Sequence, residues 1–276
     1  MRNSAIMTGR EPVGLATESR TAKAVESFAV YGRDTGGPFV LVSDHAGQAI
    51  PAELGDLGVC ATERARHIGW DIGIDGVGRR LADALPAVLI EQVYSRLVID
   101  CNRAPGHPTS IVRESDGTPV PGNQGLCAQD IAWREQVILH PYHDRIRREL
   151  SARASRNRPT VVVALHSFTP VMRGKARPWH AGVLHNKDSR LAHIMLDLLR
   201  HEGLTVGDNE PYALTDTSDY TIPVHGEQRA LPYIELEIRQ DLIAQPEGQA
   251  AWAERLARLL PQAWRAFCDR YGEDTP

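Results

Sequence analysis

Short apolar runs of strand length alternate along the chain with longer stretches of helical spacing. "PFVLVS" (38–43), "AVLIEQVY" (87–94), "RLVIDCN" (96–102), "TVVVAL" (160–165), "HAGVLHNK" (180–187) and "LPYIELEIRQD" (231–241) are each expected to be extended. Between them, Ile74, Val77, Leu81 and Leu85 recur at helical spacing in "IDGVGRRLADAL" (74–85), and Pro86 ends that pattern. The stretch 130–155 reads as a long amphipathic helix interrupted at Pro141. Residues 189–204 read as a helix ending near Gly203, and 248–272 as a closing helix.

Strands interleaved with helices imply an α/β fold whose sheet is mixed and mostly parallel, with helices on both faces. No internal repeat, low-complexity block or Pro/Gly/Ser-rich linker divides the sequence. The expectation is therefore a poorly ordered arm over 1–25 followed by a single domain over 26–276. The segment 104–126, rich in Pro and Gly, is too long for a plain connection and is expected to be a functional loop.

Composition narrows the partners. Of the 276 residues, 42% are hydrophobic and 24% charged, with a formal net charge of −4, which gives no electrostatic reason to expect nucleic acid or an anionic membrane. No apolar run approaches the roughly 20 residues needed to cross a bilayer. The first 20 residues lack the apolar core of a secretory signal, so a cytoplasmic location is expected. Four scattered cysteines without a Cys-x-x-Cys pair argue against a disulfide framework.

Chemistry enters where the strands end, because ligands of open α/β sheets bind beyond the carboxyl ends of the strands. "FVLVSDH" delivers Asp44 and His45, "RLVIDCNR" delivers Asp100, Asn102 and Arg103, and "VVVALHS" delivers His166 and Ser167. One such histidine is as well explained by a loop hydrogen bond. Several together are not, since buried polar groups are costly unless paired or bound to metal. In the last strand Tyr233, Glu235, Glu237 and Arg239 share one face and Ile234, Leu236 and Ile238 the other. Either that polar face is solvated or paired with Arg239, or Glu237 is a general base near a metal-bound water. Zinc takes imidazole nitrogen and carboxylate oxygen, so His45 and His166 are candidate ligands. Asp71 and Asp75 are candidates for the third ligand, and Asp71 reads equally as a helix cap. No HExxH, GxSxG or phosphate-binding glycine loop occurs.

Taken in order, "LVSDHAGQAIP", "HIGWDIGIDGVGRRLADAL", "YSRLVIDCNR", "LHPYHDRI", "VVALHSFTP" and "YIELEIRQD" resemble the N-formylglutamate amidohydrolase family over most of the chain. That family is distantly similar to zinc carboxypeptidases, which implies a zinc-carboxypeptidase-like (phosphorylase/hydrolase-like) fold. The resemblance marks His45 and His166 as zinc ligands, Glu237 as general base and Arg103 as the grip on a substrate carboxylate. Carboxypeptidases carry a glutamate three residues after the first histidine, where this chain has Gln48. The acidic ligand must then come from elsewhere, and "GWDIG" points to Asp71.

The resemblance implies hydrolysis of N-formyl-L-glutamate or a similar small N-acyl amino acid, with Zn²⁺ or another divalent metal as cofactor. Arg96 is expected to assist Arg103 or to form a salt bridge at a strand start. Asn102 and Ser167 would orient groups around metal and substrate. His225 would polarise the oxyanion, bind a second carboxylate, or be an ordinary loop residue. A broader amide hydrolase and a non-catalytic carboxylate-binding module are the competing readings.

Overall fold

The apolar run at 160–165 lies in the longest strand of a computed structural model that describes residues 26–33 and 36–272. The arm expected over 1–25 lies outside the described residues. Numbered in chain order, the sheet strands are β1 (Phe28–Gly32), β2 (Phe39–Ser43), β3 (Val88–Gln92), β4 (Val161–Phe168), β5 (Ala181–Leu184), β6 (Val206–Asp208) and β7 (Tyr233–Arg239). Their spatial order is β1-β3-β2-β4-β7-β5-β6. Strands β3, β2, β4 and β7 run parallel, β1 and β5 pair antiparallel with β3 and β7, and β6 runs parallel to β5. The sheet is mixed and mostly parallel, as expected.

Alternation along the central strands sorts the core into two layers. Leu41, Leu89, Val163, Leu165, Ile234, Leu236 and Ile238 pack against helices α1 (Ile74–Ala84), α4 (Arg190–His201) and α6 (Pro246–Tyr271). Val40, Val42, Ile90, Val162, Ala164 and Tyr233 face the other way, toward α3 (His140–Ala154) and the buried loop residues Leu97 and Ile99. Each fully buried Val, Leu or Ile contributes about 1.5–3 kcal/mol, so the apolar side chains of β4 anchor it at the centre. His166 continues the second face, the face that also carries Glu235 and Glu237.

Two expected elements differ. The stretch 96–102 is a chain of turns rather than a strand. Leu97, Val98 and Ile99 are buried as strand residues would be, but Val98 N–H bonds to Ser95 and Asp100 N–H to Ser110 instead of to a sheet neighbour. The long helix is also divided earlier than Pro141: α2 (Ala128–Arg134) passes into a π-helical turn, Glu135–Leu139, before α3 begins. Proline has no N–H and its ring crowds the carbonyl four residues back, a clash that a wider turn relieves without ending the helix. Strands β1 and β6 were not anticipated; one is half-exposed and the other has three residues. None of the four cysteines forms a disulfide, and no helix among the described residues is long and apolar enough to cross a membrane.

Candidate metal centre

The four parallel strands present their carboxyl ends at one rim. Two glycines let the loops there close up. A Cβ on Gly47 would lie 2.0 Å from the Val93 carbonyl oxygen, so only glycine lets the loop after β2 run against the loop after β3. Gly73 has φ +80°, a conformation that side-chain-bearing residues rarely adopt, and it starts α1 just after Asp71. Asp71 N–H then donates to the His45 carbonyl at 2.9 Å, tying the two loops together.

Three side chains converge as a result. Asp71 Oδ2 lies 3.1 Å from His166 Nδ1 and 3.6 Å from His45 Nδ1. The imidazole rings stand edge to face, 5.0 Å apart. Asp71 Oδ2 also accepts from Ser167 N–H at 3.1 Å, and the helix α1 that follows has no side-chain cap, so the capping role open to Asp71 is not the one it fills. Asp75 falls on α1, 3.9 Å from Arg79, outside the cluster.

Each histidine is backed by a carboxylate on its far nitrogen. His45 Nε2 is 2.7 Å from Asp100 Oδ1, and His166 Nε2 is 3.3 Å from Asp44 Oδ2. That leaves both Nδ1 atoms turned toward Asp71, the arrangement by which proteins orient metal-binding imidazoles. Two donors about 2.0–2.2 Å from a tetrahedral zinc lie roughly 3.3 Å apart, and the Asp71 spans of 3.1 and 3.6 Å bracket that value. His45 Nδ1 is buried without a hydrogen-bond partner. The donor set therefore fits a borderline divalent ion.

The electrostatics point the same way. Burial works against ionisation of Asp44, yet the His166 ring beside it holds it down to about 2. Asp71 and Asp100 are likewise held well below the carboxylate range against burial, chiefly by His45, with Arg96 adding to both. Burial alone would lower both histidines, and Arg96 opposes His45 too, but the surrounding carboxylates push both upward. The cluster thus demands positive charge, which protons on the rings or one divalent cation can meet.

Glu237 pairs across the sheet with His166, and Glu235 with Ala164. Both are buried, so the polar face of β7 is not solvated, and Arg239 pairs with Asp241 instead of with them. Burial pushes Glu237 up to about 7, with the negative charge of Asp71 adding to the rise, and pushes Glu235 well above its usual value. One carboxyl oxygen of each has no hydrogen-bond partner. His45, Asp71, Asp100, His166, Glu235 and Glu237 line a cavity of about 510 Å³.

The remaining expected residues divide. Arg103 lines the cavity, donating to the Asn102 carbonyl at 2.9 Å and to Thr109 at 3.2 Å. Arg96 also lines it but is engaged by Asp100 at 2.8 Å and Asp71 at 3.2 Å, within a turn and not at a strand start. Asn102 donates to Asp219 and accepts from the Tyr220 and Thr221 N–H groups, fastening the 219–221 segment beside the cluster. His225 departs from expectation. It ends α5 (Thr221–His225), fully buried with Nε2 2.9 Å from His143 Nδ1, and does not line the cavity. Burial, with His143 adding, holds it down to about 2, so it stays neutral.

Some contributors had no sequence assignment. Asp44 and Asp100 were visible as strand-end acids, but their pairing with His166 and His45 was not. Asp116, on a hairpin (Glu114–Ser115 with Thr118–Pro119) inside the long 104–126 loop, and Tyr212 complete the cavity wall, and nothing in their local sequence announces it.

Comparison with known proteins identifies the family and the fold. The family model described as N-formylglutamate amidohydrolase matches residues 37–244. A gene product of Agrobacterium tumefaciens of known crystal structure is 37% identical with a TM-score of 0.85, covering 88% of this chain and 96% of its own. The N-formylglutamate amidohydrolase of Ralstonia eutropha JMP134 shares the fold at 21% identity and a TM-score of 0.65, covering 87% of this chain and 98% of that one. No curated protein sequence matches.

Proposed function

The chain belongs to the N-formylglutamate amidohydrolase family, and from that premise we propose that it hydrolyses the amide bond of N-formyl-L-glutamate or a similarly small N-acyl amino acid. The observation that carries the reading is the convergence of His45 Nδ1, His166 Nδ1 and Asp71 Oδ2 beside Glu237 on the adjacent strand. His45, Asp71 and His166 would hold a divalent ion, zinc by the nature of the donors, which supplies Lewis-acid polarisation of the acyl oxygen and a more acidic water.

The protein's own groups do the rest. Glu237 takes the proton of the attacking water as the water oxygen bonds to the acyl carbon. The carbon–nitrogen bond then breaks as the same proton passes to the leaving nitrogen, giving formate and the free amino acid. Glu237 is buried on the strand beside His166, within the same cavity, where one carboxylate can serve both halves of that transfer. Arg103 receives the substrate carboxylate through its guanidinium edge. Arg96 neutralises and positions Asp71 and Asp100. At about 510 Å³ the cavity leaves room for acyl groups larger than formyl, which favours a substrate class over one compound.

The assay is formate release from N-formyl-L-glutamate, run beside acetyl and peptidyl substrates. Activity is expected to vanish on chelation and to return with Zn²⁺. Release that survives chelation would remove the metal from the mechanism. Failure with every acyl substrate, in protein shown to bind zinc, would leave only the carboxylate-binding alternative.

A further inference from the structure

A second group of imidazoles lies at the outer edge of the sheet. His185 follows the last residue of β5, Asp208 is the last residue of β6, and His193 sits in the first turn of α4. Because β5 runs antiparallel to β7, its carboxyl end points away from the rim that carries His45 and His166. The parallel pairing of Val183 with Asp208 brings the two strand ends level. Asn209 locks the corner: its N–H donates to the Val183 carbonyl at 3.1 Å, and its Oδ1 accepts from His185 N–H at 2.9 Å.

His185 Nε2 is 2.8 Å from Asp208 Oδ1, and His193 Nε2 is 3.9 Å from Asp208 Oδ2. The two rings meet edge to face with centroids 5.1 Å apart. One atom from each residue falls within 4.8 Å of the others, and no other described group of histidine, cysteine and acidic side chains has this property apart from the His45–Asp71–His166 cluster. The two imidazoles face different oxygens of the one Asp208 carboxylate, and the three groups lie close enough for a single ion to draw them together. His193 is half-exposed on its helix, so its ring can swing inward at little cost. His185 Nδ1 is buried without a hydrogen bond, so the Asp208 contact is the ring's one polar anchor.

We propose that His185, His193 and Asp208 form a second divalent-metal site that clips α4 to the outer edge of the sheet. Two imidazoles and one carboxylate select a borderline ion such as Zn²⁺ over Mg²⁺ or Ca²⁺, which prefer all-oxygen ligands. Water completes the coordination on the exposed side. The clip joins β5, β6 and α4 at their common corner and is structural, since neither Glu237 nor the catalytic cavity touches it.

The test titrates metal-free protein with Zn²⁺, counting bound ions by equilibrium dialysis with metal analysis and following thermal unfolding. The whole protein is expected to bind two ions, and His193→Ala one, with hydrolytic turnover unchanged. His166→Ala should also retain one ion, which is lost when His193→Ala is added, so failure of either site is separately visible. Zn²⁺ should raise the melting temperature of His166→Ala but not that of the double variant, and Mg²⁺ should raise neither. If His193→Ala and His185→Ala both bind as many zinc ions as the unaltered chain, the site does not exist. Nor does it exist if His166→Ala binds no zinc at all.

Discussion

Two regions bury charge in this protein, and they resolve it differently. Behind the sheet, Arg134 and Arg153 are almost wholly enclosed. Arg134 donates to the Val98 and Gly122 carbonyls and to Asn123 Oδ1, while Arg153 donates to the Gly37 carbonyl and pairs with Glu149. These guanidiniums staple loops that would otherwise leave buried carbonyls without donors. At the rim, Asp44, His45, Asp71, Asp100 and His166 instead face one another, and buried nitrogen and oxygen atoms on His45, Asp44, Glu235 and Glu237 have no hydrogen bond. Burial of charge does not by itself indicate function. Nor does an unpartnered atom, since Arg134 Nε has no partner either; convergence of several titratable groups at a cavity does.

The strongest challenge to that distinction is Glu237→Gln. The amide keeps the shape of the side chain but cannot accept the water proton, so kcat is expected to fall by about 10²–10⁴-fold. Zinc content, measured by metal analysis, should stay the same because Glu237 is outside the ligand set. Loss of zinc in this variant would mean that Glu237 is a ligand and the base lies elsewhere.

Arg134→Met is the matching test of the stapling region. Three oxygens lose their donor, at about 1 kcal/mol each, so chemical unfolding should show a loss of about 3 kcal/mol. Turnover per folded molecule should not change. A fall in turnover at full folding would join the two regions that the structure separates.

Asp100→Asn is smaller and probes the rim from behind. Replacing the carboxylate that orients His45 should weaken zinc affinity about 10–100-fold, read by competition with a chelator of known affinity. Unchanged affinity would show that the Arg96–Asp100 pair, and not the His45 contact, is what Asp100 serves.

How much of this was legible in the sequence follows from the range of each interaction. His166 and Glu237 were readable because alternation within one strand fixes which residues share a face, and a run of valines marks a strand centre. The turns at 96–102 were not, since Leu97, Val98 and Ile99 are buried in the core whether the backbone is extended or turned. His225 was misplaced for a related reason: proximity to the Glu237 strand along the chain says nothing about which side of α5 meets the cavity, and its ring meets His143 instead. The carboxylates behind the two histidines escaped because their pairings join segments distant in the chain, which only the sheet order brings together.

Glu91 on β3 tests the space between the two cases. It is buried, its Oε2 accepts from Arg79 Nε at 3.1 Å, and its Oε1 has no partner, yet it lies on the α1 side of the sheet, away from the cavity. Burial pushes its pKa up to about 7 from 4.5; Arg79 opposes the rise and Asp75 adds to it. The folded state therefore binds this proton more tightly than the unfolded chain does. Between about pH 4.5 and 7 the folded form carries the extra proton, so this group's contribution makes stability fall as pH rises through that window. The slope is at most about 1.4 kcal/mol per pH unit, and above the window the charged carboxylate is a constant cost. Glu91→Gln should reduce the slope by this group's share and leave the protein more stable than the original at pH 8, measured by urea unfolding across the range. If the slope is undiminished in the variant, it belongs to the rim, whose raised carboxylates Glu235 and Glu237 have the same sign. In that event the folding equilibrium, and not only catalysis, senses the protonation of the candidate metal centre.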